Sequence, residues 1–300
     1  MPPTELVSEP RVQAPVRIAA TDAHEGPVYL EDALLFTTVR RERVAIKRLS
    51  LADGSVSVLV PDANNANGMA LHRGGRVLVC EQGSRAQPAR LTRLDPATGE
   101  RETLVAEVEG RPLNSPNDVV AAADGAVWFT DPSYGWLQGF RPKPSLPDRV
   151  YRVGRDGRAE PVADSLDKPN GLALSPDGRV LYVGDSGAIH GPDDYDARRP
   201  RRVLAFDVVP GGLANERVLV DDVPGFPDGL ATDDAGRVYV SCATGIRIVS
   251  SDGEPLAEVP LAGAVNFTFA GRRRDVLLVT ADTAVWAVVV DLDLTKGAPR

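Results

Sequence analysis

The chain contains an internal repeat, and a repeat limits the folds that a sequence can adopt. Four segments align without gaps, and in each an Asn or Asp is followed eight residues later by Gly and ten residues later by Val. The lead residues of these four segments are Asn67, Asn117, Asn170 and Asp228. Weaker copies place Glu25 and Asn266 in the same role. Lead residues spaced 38 to 58 residues apart indicate six structural repeats of one kind.

The repeated segments are typical of β-structure. They are rich in Val, Leu and Tyr, and Gly, Asp and Pro mark their turns. Segments between them, such as VAIKRLSLADGSVSVLV, supply two further strands per repeat. Four strands in each of six repeats predict an all-β, six-bladed β-propeller. A pair of β-sandwiches is the alternative fold, but it leaves the period unexplained.

The chain shows no linker or change of composition that would divide it. We therefore expect a flexible N-terminal tail over residues 1–15 and a single propeller domain over residues 16–300. Cys80 and Cys242 lie far apart in strand-like segments, so they are predicted to be buried thiols and not a disulfide.

Composition narrows the class of partner. A formal net charge of −8 argues against nucleic acid, because binding phosphates requires a basic surface. No apolar segment approaches the ~18 residues of a membrane span, and the first residues lack the pattern of a signal peptide. We expect a cytoplasmic protein with no membrane partner.

The six lead residues should meet at one mouth of the central channel, because the first strand of a propeller blade lines that channel. All six carry oxygen donors, and carboxylate and amide oxygens favour Ca²⁺ over Zn²⁺. Mg²⁺, Mn²⁺ and Zn²⁺ are kept as alternatives. Turn formation by Asn or Asp before Gly is the competing explanation for any single lead residue. Residues 14 or 15 positions later should return to the same mouth, and they are Glu81, Asp131, Asp185 and Cys242.

Four stretches of the chain also resemble a known family. HEGPVY, RPLNSPNDVVAAADGAVWFTDPSYG, KPNGLALSPDGRVLYVGDS and FPDGLATDDAGRVYVS resemble the SMP-30/gluconolactonase/regucalcin family, and its microbial gluconolactonase branch in particular. The resemblance runs from about residue 20 to residue 290. It implies a six-bladed propeller with a divalent ion, often Ca²⁺, at the centre of the channel. By position, the metal ligands of the family fall on Glu25, Asn117, Asn170 and Asp228.

The chain departs from the family pattern at three places. Gln82 replaces the usual His in CEQGSR, and Ser115 stands where animal members carry an Arg that helps to bind the sugar lactone. The stretch around Asn266 is a reduced version of the sixth-blade motif. These departures leave the implied metal ligands intact and leave the choice of substrate open.

The function predicted from these residues is hydrolysis of a small-molecule substrate, a sugar lactone or related cyclic ester. The ion would act as a Lewis acid on the carbonyl oxygen, and Asp228 would act as general base towards water. Two long insertions, after Tyr134 and after Ser186, are expected to shape specificity. The candidate substrate-binding residues are Asn67, Glu81, Arg85, Asp131, Tyr134, Asp185 and Asn266.

Other functions fit the same pattern. Propellers with a central ion can hydrolyse phosphotriesters or other small esters, and a structural ion would suit a non-enzymatic calcium-binding propeller. An isomerisation or cyclisation step in a biosynthetic pathway is also compatible with the fold. A serine nucleophile is not predicted, because the chain has no Gly-x-Ser-x-Gly motif and neither His24 nor His190 falls on a repeated position.

Overall fold

The computed structural model describes residues 11–40, 42–191 and 193–291, and it confirms the six-bladed β-propeller. Blades 1 to 5 are four-stranded antiparallel sheets whose strands run in chain order from the channel outwards. The strands of blades 1 and 2 are Ala23–Leu30, Ala33–Thr38, Ile46–Ser50, Val56–Val60, Ala66–Leu71, Val77–Glu81, Arg90–Leu94 and Arg101–Val105. Those of blades 3 to 5 are Val119–Ala121, Val127–Asp131, Arg149–Val153, Ala159–Ala163, Pro169–Leu174, Val180–Asp185, Arg202–Val209, Gly212–Val220, Leu230–Thr232, Val238–Cys242, Gly245–Val249 and Pro255–Val259.

Blade 6 closes the ring with strands from both ends of the described chain. Its inner three strands are Asn266–Ala270, Val276–Thr280 and Ala284–Asp291. The N-terminal strands Val16–Ala20 and Arg11–Val12 both pair antiparallel with Ala284–Asp291. Part of the segment for which a flexible tail is expected is therefore paired in the sheet, and residues 1–10 lie outside the described residues.

The inner strands contact one another in ring order, and the inner strand of blade 6 contacts that of blade 1. Backbone bonds join them at the lead residues: Gly68 N donates to Asn117 O over 2.8 Å, and Gly171 N donates to Asp228 O over 3.1 Å. A Cβ placed on Gly171 would lie 2.0 Å from Asp228 O, so only glycine permits this approach. The glycine after a lead residue thus brings the lead residues close to a common axis.

Apolar side chains fill the spaces between blades. Phe129 of blade 3 stacks on Tyr151 at 5.3 Å between ring centroids, in a cluster that also contains Leu78 and Leu91 of blade 2. Tyr239 of blade 5 packs edge-on against Phe269 of blade 6 at 5.0 Å. The alternating strands of the sequence therefore bury their apolar faces against the neighbouring blade, as propeller packing requires.

The remaining described elements are short. Two small ribbons, one 3₁₀ turn and one α-helix lie in the connections, at Glu107–Val108 with Arg111–Pro112, Ile189–Gly191 with Asp194–Tyr195, Arg73–Gly75 and Tyr134–Leu137. Cys80 and Cys242 are free and buried, as predicted. None of the helices formed by the described residues has the length and apolar character needed to cross a membrane.

Candidate metal centre at the channel mouth

A cavity of about 320 Å³ opens at the end of the channel where the inner strands begin. We call it the mouth cavity. Of the sequence-predicted site residues it brings together Glu25, Asn67, Asn117, Tyr134, Asn170 and Asp228. Its other lining residues are His24, Thr38, Val39, Arg40, Val44, Ala66, Gln82, Gln138, Ile189, Gly191 and Phe226.

Glu25 is held in place from blade 6. Its Oε2 accepts hydrogen bonds from Gly26 N at 3.0 Å and from Asn266 Nδ2 at 2.7 Å. Burial raises the pKa of Glu25, although His24 and the Asn266 amide act in the opposite direction. Asn266 does not line the mouth cavity, so the predicted substrate residue supports a lead carboxylate instead.

Asn117 presents an unsatisfied oxygen. Its Oδ1 is buried and has no hydrogen-bond partner among the described residues. Its backbone is fixed, since Asn117 N donates to Thr130 O and Asn117 O accepts from Gly68 N, both over 2.8 Å. A buried unpaired acceptor costs about 1–3 kcal/mol, which a bound cation would offset.

Asp228 is the second carboxylate of the ring, where it is half-buried, and the Asn170 amide lies against it. Burial raises the pKa of Asp228 well above its ordinary range, and the neighbouring Glu25 raises that pKa further. Two carboxylates that lie close to each other and are shielded from water, one buried and one half-buried, are costly without a counter-charge. The charge of a dication would balance that of the pair.

The donor set therefore fits a hard divalent cation. Glu25, Asn117, Asn170 and Asp228 offer only carboxylate and amide oxygens, the ligands that Ca²⁺ and Mg²⁺ prefer. Among the described residues, no group of three or more His, Cys, Asp or Glu side chains could hold a metal ion. A site at this mouth depends on the amides as much as on the acids.

His24 lies beside the ring and is paired with a residue that the repeat pattern does not predict. Its Nδ1 is 2.7 Å from Asp282 Oδ1 in blade 6. Burial alone would lower the pKa of His24, but the bond to Asp282 and the nearby carboxylates outweigh burial and raise it. Asp282 occupies no repeated position, so only the fold reveals this pair.

Asp131 and Asp185, both predicted to contact substrate, point into their blades and do not line the mouth cavity. Asp131 accepts hydrogen bonds from Asn114 N and Ser115 N, each at 2.8 Å. Asp185 accepts from Asp167 N and Lys168 N at 3.0 and 3.1 Å. Each carboxylate thus holds the loop that precedes a lead residue, which explains why an acid recurs at this position.

Glu81 is also fully buried away from the cavity. It is bonded to Arg90 Nε at 2.6 Å, Arg101 at 2.9 Å, Thr92 Oγ1 at 2.9 Å and Asn64 Nδ2 at 3.0 Å. The end of the second strand does return to the mouth, as predicted. The side chain there faces the interior of the blade, so the acid stabilises the blade.

Arg85 and Arg141 organise the insertion after Tyr134. Arg85 is exposed and donates to Gly139 O at 3.3 and 3.2 Å, so it holds the loop and does not enter the cavity. Arg141 is buried and donates to the carbonyls of Asn114, Leu113, Ser84 and Gln87 over 2.9–3.1 Å. Nothing in the sequence pattern marks Arg141, because its partners are main-chain atoms of distant loops.

Fold and site together define a six-bladed propeller with an oxygen-donor centre at one channel mouth. The chain belongs to the SMP-30/gluconolactonase/LRE-like family, whose model matches residues 23–283. It is 31% identical over 273 residues to a gluconolactonase from Zymomonas mobilis, an alignment that covers 82% of this chain and 72% of that one.

Comparison with solved structures also supports the propeller fold. A gluconolactonase from Xanthomonas campestris superposes with a TM-score of 0.80 at 30% identity and 95% coverage of both chains. A calcium-binding protein, regucalcin, from Agrobacterium tumefaciens superposes with a TM-score of 0.70 at 20% identity and 93% coverage of both, a likeness of fold alone. The family resemblance seen in the sequence is confirmed.

Proposed function

We propose that this protein hydrolyses lactones and that it requires a divalent cation, with Ca²⁺ as the expected ion. The observation that carries the proposal is the mouth cavity, where the buried Glu25 and the half-buried Asp228 carboxylates meet the unpaired Oδ1 of Asn117. The similarity to gluconolactonases from Zymomonas mobilis and Xanthomonas campestris supports lactones as the substrate class. The oxygen-only donor set supports Ca²⁺.

Glu25, Asn117, Asn170 and Asp228 would hold the ion. Bound there, it would polarise the lactone carbonyl and stabilise the negative charge that develops on its oxygen. Asp228 would take the proton of the attacking water, since its carboxylate lines the mouth cavity beside the proposed ion ligands. The Asn266 amide keeps the Glu25 carboxylate oriented during this step.

The cavity suits a monosaccharide-sized ring. Its volume of about 320 Å³ lies at the small end of the range for ligand pockets. Amide side chains from Asn67, Gln82 and Gln138 provide donors and acceptors for hydroxyl groups, and Ile189 and Phe226 provide apolar surface.

The test is lactone turnover after removal and replacement of the ion. Protein treated with a chelator should lose hydrolysis of D-glucono-1,5-lactone, and Ca²⁺ should restore it. Ca²⁺ should also raise the melting temperature, since a ligand present at 100 times its Kd adds about 2.7 kcal/mol to the free energy of unfolding. Full turnover by the chelated protein, or turnover of an organophosphate but of no lactone, would refute the proposal.

A further inference from the structure

Arg40 is fixed at the rim of the mouth cavity by residues far along the chain. Its guanidinium lies over the Phe140 ring, 4.2 Å from the centroid, and donates to Gln138 Oε1 at 3.2 Å. Both partners belong to the insertion after Tyr134, so Arg40 of blade 1 reaches across the mouth to blade 3. A stacked guanidinium keeps its remaining N–H groups free to bind a ligand.

The charge of Arg40 has no carboxylate partner among the described residues. Arg43, in the same connection, lies 3.7 Å from Asp62. At the cavity floor a dication would balance Glu25 and Asp228, and His24 is paired with Asp282. Arg40 therefore contributes an unbalanced positive charge to the lining.

The amide side chains of the lining that are not proposed ion ligands lie on the same side of the mouth as Arg40. Asn67, Gln82 and Gln138 come from blades 2 and 3, next to the blade that carries Arg40. Ile189 and Phe226 come from the connections of blades 4 and 5. A substrate whose carbonyl sits over the lead residues would extend its most polar substituent towards Arg40.

We propose that the preferred lactones carry an anionic substituent, a carboxylate or a phosphate, and that Arg40 binds it. Guanidinium groups match both anions in geometry and form charge-assisted hydrogen bonds with them. The inference rests on the proposed lactone hydrolysis and adds the chemical class of the substrate.

The experiment compares three lactones with the Ca²⁺-loaded protein. D-Glucono-1,5-lactone is the neutral probe, D-glucaro-1,4-lactone carries a carboxylate, and 6-phospho-D-glucono-1,5-lactone carries a phosphate. The readout is the ratio of kcat/KM for an anionic probe to kcat/KM for the neutral probe. Arg40→Gln should lower this ratio about ten- to hundredfold, the usual effect of losing a hydrogen bond to a charged group.

Two further variants make the test specific. Arg40→Lys should lower the ratio less than Arg40→Gln, because the charge is kept while the fork geometry is lost. Arg43→Gln removes a charge from the same connection but outside the cavity lining, so it should leave the ratio unchanged. Added salt should raise KM for the anionic probes in the parent protein more than in Arg40→Gln.

The outcomes separate the two proposals. If the parent protein opens no lactone at all, the proposed function fails and this inference fails with it. If it opens the neutral probe but Arg40→Gln and Arg43→Gln give the same ratio as the parent, only the anion-binding role of Arg40 is wrong. The probe whose ratio falls further identifies carboxylate or phosphate as the bound group.

Discussion

At the scale of single residues, the candidate site is marked by a few oxygens that lack a hydrogen-bond partner or a counter-charge. Asn117 Oδ1 has no partner among the described residues, and the buried Glu25 lies near the half-buried Asp228. Such groups normally destabilise a fold, so their presence at one cavity supports the proposed divalent cation.

Replacing Asp228 by Asn should abolish turnover and preserve the fold. Loss of a general base typically lowers a rate by about 10²–10⁴-fold. Because the buried charge next to Glu25 is removed, the melting temperature of the metal-free protein should not fall. Steady-state kinetics on D-glucono-1,5-lactone and thermal melts measure both effects. The control is Asp234→Asn, which changes an exposed residue of the same blade and should leave turnover unchanged. A fully active Asp228→Asn protein would show that another group is the base.

Replacing Asn117 by Leu should separate ion binding from stability. The Oδ1 makes no hydrogen bond that the substitution could break, so the free energy of unfolding of the metal-free protein should change little. Ca²⁺ affinity should fall by roughly tenfold or more, because one ligand is lost. Isothermal titration calorimetry with Ca²⁺ measures this directly. The control is Gln82→Leu, which removes another amide of the same cavity. An equal loss of Ca²⁺ affinity in the two variants would contradict Asn117 as a ligand.

At the scale of elements, each second strand supports the loop that leads into an inner strand. In blade 3 the carboxylate of Asp131 accepts hydrogen bonds from the backbone N–H groups of Asn114 and Ser115, which directly precede the Asn117 region. The same strand also reaches the next blade, since Thr130 Oγ1 donates to Asn170 O at 2.8 Å. Lead residues are thus positioned from their own blade and from the preceding one.

Replacing Asp131 by Ala should weaken this support. Two buried backbone N–H groups would lose their acceptor, which costs roughly 2–5 kcal/mol of unfolding free energy. Ca²⁺ affinity should fall as well, because Asn117 is less well positioned. Denaturant unfolding and calorimetry test both effects. The control is Asp124→Ala, which removes an exposed acceptor from the hairpin turn of the same blade. Similar losses of stability and Ca²⁺ affinity in this variant would argue against a special role for Asp131.

At the scale of the whole molecule, closure of the ring and burial of charge act together. The strand Val16–Ala20 pairs with the last described strand, so opening the propeller would require both ends of the described chain to separate. The closed ring in turn keeps water from several carboxylates. Burial raises the pKa of Asp118 to about 8 and that of Asp131 to about 7, against an ordinary 3.8.

The metal-free protein should therefore be more stable at pH 5 than at pH 8. Between the ordinary pKa and the raised one, the folded state binds more protons than the unfolded state, so the free energy of unfolding falls as pH rises. The fall should be on the order of a few kcal/mol. Denaturant unfolding across this range measures it. Asp131→Asn should weaken the dependence of the free energy of unfolding on pH, and the exposed Asp234→Asn should leave it unchanged. A free energy of unfolding that rises from pH 5 to pH 8 would contradict the prediction.

The number of blades, the strands and the positions that line the channel axis can all be predicted from the repeat. Strand alternation and turn glycines such as Gly178, with a φ of 70°, are local properties that each repeat expresses independently. Six copies of one β-unit favour a closed ring, in which each unit packs on the next. The lead residues could be predicted for the same reason, since each lies within two residues of the start of an inner strand.

The surroundings of that axis depend on contacts that form only in the folded molecule. The pattern places Asp131 and Asp185 at the mouth but cannot say that they turn inwards to hold backbone N–H groups. Arg40 and Gln138 are separated by 98 residues and meet only because two connections emerge at the same mouth. Such contacts join residues that do not occupy equivalent positions of the repeat. Their geometry is set by the closure of the ring and by the packing of the loops.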